Sequence, residues 1–389
     1  MATISDINFK KIIDNSSGLA FYQSVAQEII KFLNQVNSAT FWEIIRFTKG
    51  NDRRVLRLID ELVNIGLIKF DSKSKLFYLS EGKKVSISPK NVLCKTCGGK
   101  IVVIGNRFRK IKEVMEKVYQ QKPTPTFLFD QRPVTLDTTL NRVAYMIWRG
   151  DLYKKRVAVL GDDDLTSITI SLIKGAKEVT VFDIDKRLIN FIKMISKRYH
   201  LKLRAVIQDF TKQLPKKYVN KFDVFLTDPT PTIKPLTLFT DAGVRLLKRG
   251  NGYVGYISIF PSHMNKSIKF QKILTKMHLI ITDLIPSFIE YAIIKEVYPE
   301  NDLRLMKKYC KSEGEVSFYE YFMRVETTDA THPLDRIQYR EEELSGKVTK
   351  EVLNDITKDP ALIKGDKKEK DYIRRIAKSM VLEKWWIAC

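Results

Sequence analysis

The chain has 389 residues, 44% of them hydrophobic, and its 68 lysines and arginines against 45 aspartates and glutamates give a net charge of +23. That length allows two domains around proper cores, and four cysteines, Cys94, Cys97, Cys310 and Cys389, exclude a disulfide framework and suit a reducing interior. No apolar run approaches the ~18 residues of a membrane span and the start MATISDINFKK lacks a signal-peptide stretch, so a soluble cytoplasmic protein with no membrane contact is expected.

The basic balance fits either a polyanionic partner or a lysine-rich surface adapted to heat. From Phe21 to about Ser80 the pattern reads as three helices, FYQSVAQEIIKFL, ATFWEIIRFT and DRRVLRLIDELVNIGLI, and then two short strands around a polar turn. That order predicts a winged helix-turn-helix. Its Arg53, Arg54 and Arg57 would face nucleic acid if the module binds DNA; otherwise the module serves packing or dimerisation. Cys94 and Cys97 form a single CxxC knuckle. A closed zinc site needs four ligands, so zinc there would take a second half-site from another protomer of a homodimer, and otherwise the pair is a redox pair or a relic.

From about Tyr153 strand and helix alternate: RVAVLG, LTSITISLIKG, EVTVFDID, RLINFIKMISKRYH, LRAVIQDF, KFDVFLTDPT, PLTLFTDAGVRLLKRG and GYVGYISI. The expected fold is α/β, a Rossmann-like, methyltransferase-type parallel sheet preceded by a small winged-helix domain. The expected boundaries are 1–90 for the winged helix, 91–150 for the knuckle and connecting helices, 151–328 for the catalytic domain and 329–389 for a charged tail or lid.

Ligands of such sheets lie outside the carboxyl ends of the strands, and here each of those ends is acidic. Gly161 turns the first strand into Asp162, Asp163 and Asp164, where further glycines would be needed to cradle a pyrophosphate. Asp183 ends the second strand about twenty residues on, where an acid accepts from both ribose hydroxyls; Asp185 reads as a helix cap. Asp209 ends the third strand, placed for an adenine amine with Phe210 along the ring, and Asp228 ends the fourth at the point of group transfer. These positions describe an adenosine-bearing donor. The carboxylate of S-adenosylmethionine would be repelled by the acidic block, whereas decarboxylated S-adenosylmethionine carries only positive groups at that end. A polyamine acceptor suits the same pocket, and an aspartate can take the proton that its attacking amine must lose.

GDDDLTSI, VFDID, FLTDP and GYVGYISI, with the upstream FDQRPVTLDTTLNRVAYMIWRGDLYKKRVAVLGDDD, resemble the branched-chain polyamine synthases, or N(4)-bis(aminopropyl)spermidine synthases, from the winged-helix start to about Glu326. The resemblance implies transfer of aminopropyl groups from decarboxylated S-adenosylmethionine to the secondary amine of spermidine, releasing methylthioadenosine. It also implies substrate binding by Asp162 and Asp163, with Asp164 as the acid/base. Asp183 falls on the ribose position, Asp209 on the adenine position and Asp228 at the reacting amine. The family's Asp-Gln-x-Pro is kept as Asp130-Gln131-Arg132-Pro133, with Arg132 an added positive charge. The family's Asp-Pro-Pro becomes Asp228-Pro229-Thr230-Pro231, which changes the wall of the acceptor pocket. Downstream, Glu290, Tyr291, Tyr319 and Glu320 offer acid and aromatic contacts to an ammonium chain, Glu290 above all. A nucleic-acid methyltransferase and a non-enzymatic DNA-binding polyamine sensor remain the alternative readings.

Overall fold

The computed structural model describes residues 4–12, 19–48, 50–80, 92–260, 264–294, 298–310, 316–335 and 359–382. In chain order these form α1 (Leu19–Val36), α2 (Phe41–Phe47), α3 (Asp52–Asn64), β1 (Ile68–Asp71), β2 (Leu76–Leu79), α4 (Asn106–Tyr119) and α5 (Leu136–Trp148). The alternating part follows as β3 (Arg156–Leu160), α6 (Thr166–Ile173), β4 (Glu178–Asp183), α7 (Lys186–Arg198), β5 (Leu203–Ile207), β6 (Val224–Thr227), α8 (Ile233–Leu246) and β7 (Val254–Ile259). The remainder is α9 (Met264–Lys276), β8 (Leu279–Ala292), α10 (Glu300–Tyr309), β9 (Val316–Thr327), α11 (Pro360–Ile363) and α12 (Lys367–Leu382).

The chain divides into two compact units, one made of residues 1–99, 261–263 and 290–320, the other of 100–260, 264–289 and 321–389. The first is therefore not a simple N-terminal segment, because residues 290–320 join it. Its α1, α2 and α3 and the antiparallel β1–β2 hairpin match the expected element order. Thr40 starts α2 through a reciprocal capping box with Glu43, and Asn51 caps α3. The arginines of α3 are engaged inside the unit. Arg53 Nε donates to Asp302 Oδ2 at 2.9 Å, Arg57 donates to both oxygens of the same fully buried carboxylate at 2.8 Å, and Arg54 lies over the Phe21 ring. Asp302 needs these partners because an unpaired buried charge is costly. Arg53 and Arg57 are thus engaged within this unit, as the packing alternative for the module has it.

The second unit is built on a seven-stranded sheet of order β5-β4-β3-β6-β7-β9-β8, in which β3 to β7 are parallel and β9 runs antiparallel to β7. This is the Rossmann-like α/β sheet read from the alternation. The central strands are almost wholly apolar and buried, VAVL in β3 and VFL before Thr227 in β6, as burial on both faces requires. Phe225 packs so closely on β7 that a Cβ at Gly255 would lie 2.4 Å from its ring, so only glycine fits there. The chain leaves β3 for β4 on one side and returns to β6 on the other, and this reversal opens a crevice at the carboxyl ends of both strands.

Candidate active site

Gly161 adopts φ +73°, which turns the chain sharply off β3 and sends the next three aspartates in different directions. Asp162 is buried; its carboxylate accepts from Ser167 N at 3.1 Å and from the Ser167 hydroxyl, fixing the start of α6. Asp164 is also buried, with Oδ1 accepting from Val134 N at 3.0 Å and Oδ2 from Arg142 Nη1 at 2.6 Å. Only Asp163 of the three lines the cleft. Its Oδ2 is shielded from solvent and has no hydrogen-bond partner among the described residues. Burial, reinforced by the neighbouring Asp164, holds its carboxyl well above the usual carboxylate range, and nearby Lys122 works in the opposite direction. Lys122 Nζ donates to the Asp163 carbonyl at 2.9 Å and lies over the Tyr119 ring.

The cleft has about 810 Å³ of empty space, part of it open to solvent, within the range of small-ligand sites. Five aspartates line it, Asp130, Asp163, Asp183, Asp209 and Asp228, together with Gly161, Gln131, Phe210 and Thr230, and among the described residues no lysine or arginine does. In a chain of net charge +23 this is a strong local reversal.

Each of the other carboxylates is held in place. Asp183 accepts from Asp162 N at 3.0 Å and from Asp185 N at 2.8 Å, and burial raises its pKa to about 7; burial likewise raises Asp162 to about 8. Asp209 Oδ1 accepts from Thr211 N at 2.9 Å and its hydroxyl at 2.6 Å, while Phe210 meets Phe239 edge to face with centroids 4.8 Å apart. Arg142 Nη2 donates to Asp228 Oδ2 and, at 3.1 Å, to the Ser258 hydroxyl, so this one buried guanidinium joins the acid after β3 to the acid after β6.

The loop before α5 supplies the remaining wall. Asp130 sits in the left-handed region at φ +50°, and the Thr230 hydroxyl donates to its Oδ2; burial raises its pKa. Gln131 does not project into the cleft as a free amide. Its Oε1 accepts from Thr126 N and its Nε2 donates to Asp185 Oδ2, each at 3.0 Å, which bolts the loop to the end of β4. Asp185 also accepts from Arg187 N at 2.9 Å as the cap of α7, as read from the sequence. Arg132 is half exposed over the Phe127 ring and does not line the cleft.

Residues after Asp359 grip the same loop. The fully buried Asp359 carboxylate accepts from Thr126 Oγ1 at 2.6 Å and Phe127 N at 2.8 Å, and Ala361 and Ile373 pack on Leu128. The rest of the expected tail, over 336–358 and 383–389 with Cys389, lies outside the described residues.

Four sequence expectations change. Asp162, expected at the substrate, and Asp164, expected as the acid/base, are buried, bonded within the protein and absent from the residues lining the cleft. Gln131 lines the cleft but spends both ends of its amide on Thr126 and Asp185. Glu290 belongs to the other compact unit and is not among the cleft's lining residues. At Cys94 and Cys97 no group of three or more histidine, cysteine, aspartate or glutamate side chains forms among the described residues, so the zinc expectation finds no ligand set. Backbone hydrogen bonds from Cys97 and Thr96 hold the exposed Cys94 thiol below its ordinary pKa. The residues that sequence reasoning missed are Arg142 and Lys122; the signal for Arg142 was a lone cation in the stretch TTLNRVAYM, while Thr230 was read as part of the acceptor wall without its bond to Asp130.

A family model described as the branched-chain polyamine synthase A C-terminal domain matches residues 110–352. The chain is 33% identical over 323 residues to the N(4)-bis(aminopropyl)spermidine synthase of Methanocaldococcus jannaschii, covering 80% of this chain and 89% of that protein. To the enzyme of the same name from Thermococcus kodakarensis it is 30% identical over 329 residues, covering 82% of this chain and 92% of the other. Among solved structures, the Thermus thermophilus branched-chain polyamine synthase in complex with N4-aminopropylspermidine and 5′-methylthioadenosine matches with a TM-score of 0.65 at 25% identity, over 80% of this chain and 89% of that one.

Proposed function

The chain belongs to the branched-chain polyamine synthase family, and from that premise we propose that it transfers aminopropyl groups from decarboxylated S-adenosylmethionine to the secondary amine of spermidine or a related linear polyamine. The observation that carries this reading is the cleft lined, among the described residues, by five aspartates and by no lysine or arginine. A donor ending in an ammonium and an acceptor of two or more ammonium groups gain from such a wall, while a carboxylate tail loses. This separates the reading from a methyltransferase, whose donor carboxylate would meet no lysine or arginine among the described lining residues.

In the reaction the acceptor nitrogen attacks the aminopropyl carbon bonded to the sulfonium. The carbon–sulfur bond breaks and its electron pair stays on sulfur, so methylthioadenosine leaves uncharged. The acceptor's secondary nitrogen is an ammonium in water and attacks only through a free lone pair, so a carboxylate must first take its proton. Asp163 is the residue assigned that role, since its carboxyl lines the cleft and its buried Oδ2 has no hydrogen-bond partner among the described residues. Asp228, held by Arg142, and Asp130, held by Thr230, orient the acceptor's ammonium groups. Asp183 and Asp209 with Phe210 take the donor's ribose and adenine. Calorimetry with the two donors tests the assignment: decarboxylated S-adenosylmethionine should bind at least tenfold tighter than S-adenosylmethionine, about 1.4 kcal/mol, and the reverse order would overturn it.

A further inference from the structure

While the cleft gathers carboxylates, positive charge gathers on a different face of the same unit. Residues 193–221 carry nine lysines and arginines against a single carboxylate, Asp209. Lys193, Lys197, Lys202, Arg204, Lys216 and Lys217 are all exposed, and none of the six is ion-paired with another described residue. Cations in the last turn of a helix complement its dipole, which accounts for Lys197 but not for Lys202 and Arg204 on and beside β5, or for the pair before Tyr218. β5 is the edge strand of the sheet, and between it and α7 runs a shallow groove with about 980 Å³ of empty space, open to solvent. Lys193, Lys197, His200 and Arg204 line the groove, with Tyr218 on its wall.

We propose that this groove binds single-stranded nucleic acid through its phosphate backbone. Cations spread along a groove match a chain of evenly spaced phosphates, whereas a free phosphate ion calls for donors converging on one point. A shallow groove with an aromatic wall favours a single strand, whose unstacked bases can lie against a ring, over a duplex. The proposal does not depend on the reaction assigned to the cleft. It also moves the expected nucleic-acid surface away from α3, whose Arg53 and Arg57 are held by Asp302.

The test is fluorescence anisotropy of the full chain with labelled oligo(U), oligo(dT) and a duplex of equal length, over a series of salt concentrations. The variant K193E/K197E/R204E should bind the single strands at least about tenfold more weakly than the parent, and the slope of log affinity against log salt should fall by ~2, three contacts at ~0.7 each. K69E/K73E/K272E, with the same change in net charge placed elsewhere, should bind like the parent. The neutral variant K193Q/K197Q/R204Q repeats the experiment if charge reversal harms folding, and should also weaken binding. Absence of single-strand binding by the parent at low salt, equal losses in the two triple-glutamate variants, or preference for the duplex would each overturn the proposal. Stronger binding of oligo(U) than oligo(dT), or the reverse, only identifies which single strand supports it better.

Discussion

Arg142 Nη1 lies 2.6 Å from Oδ2 of Asp164, and both side chains are almost wholly buried. The other arm of the same guanidinium reaches Asp228, so one cation sets the spacing of two acids that end different strands. Removing it strands two charges in a dry interior. Arg142→Met should cost about 3–5 kcal/mol of stability, measured by urea unfolding, because each carboxylate loses its partner. Asp164→Asn should lose about 1.5–3 kcal/mol through the weakened charge-assisted bond yet keep part of its turnover. An Asp164→Asn protein of normal stability with no turnover would return the proton-accepting role to Asp164.

Asp163→Asn keeps the shape of the side chain but removes the base. Its kcat should fall ~10²–10⁴-fold, with methylthioadenosine affinity unchanged because the ribose and adenine positions are untouched. Loss of methylthioadenosine binding in parallel would make Asp163 a part of the donor site instead.

Thr230 reports on the acceptor side. Thr230→Val removes the hydroxyl that donates to Asp130, leaving a buried carboxylate that is harder to ionise. The KM for the polyamine should rise several-fold with kcat little changed, and Thr230→Ser should restore it. An unchanged KM in the valine variant would remove Asp130 from acceptor recognition.

The acidic cleft also has a pH signature. Asp183, at about 7, and Asp162, at about 8, titrate above their ordinary value of 3.8 in the folded chain. A group that binds protons more tightly when folded contributes stability that is present below the unfolded pKa and lost as pH rises through the folded one. These two acids therefore make the unliganded protein less stable between about pH 4 and 8. Spermidine remains cationic across that range and Asp183 lines the cleft, so its affinity and the melting shift it produces should both grow as pH rises through 7. Calorimetry and thermal melts at three pH values check this; a melting shift that shrinks with rising pH would contradict it.

The sheet was legible because parallel strands buried on both faces announce themselves as short apolar runs between helices, as in RVAVL and DVFLT. The acids were legible for a related reason: chemistry in this architecture sits at strand ends, so Asp183, Asp209 and Asp228 could be placed from position alone. Which carboxylate of the triple points into the cleft was not legible. That depends on Gly161 at φ +73° and on Leu165 at φ +56°, two backbone turns that swing adjacent side chains apart. The partners of the acids were hidden too, since Arg142, Thr230 and Gln131 lie 22 to 100 positions from the groups they hold or are held by. For the arginines of α3 the spacing fits a nucleic-acid face and a packing role equally well, and only the bonds to Asp302, far along the chain, show that Arg53 and Arg57 are engaged within the unit.

The central claim is the identity of the transferred group. Incubating the purified chain with decarboxylated S-adenosylmethionine and spermidine, and analysing the amines and nucleosides formed, tests it most directly. The account predicts one methylthioadenosine released for each aminopropyl group added, with the additions on the secondary nitrogen giving branched products. Elongation only at a primary amine, or no methylthioadenosine while S-adenosylmethionine supports methyl transfer, would contradict it.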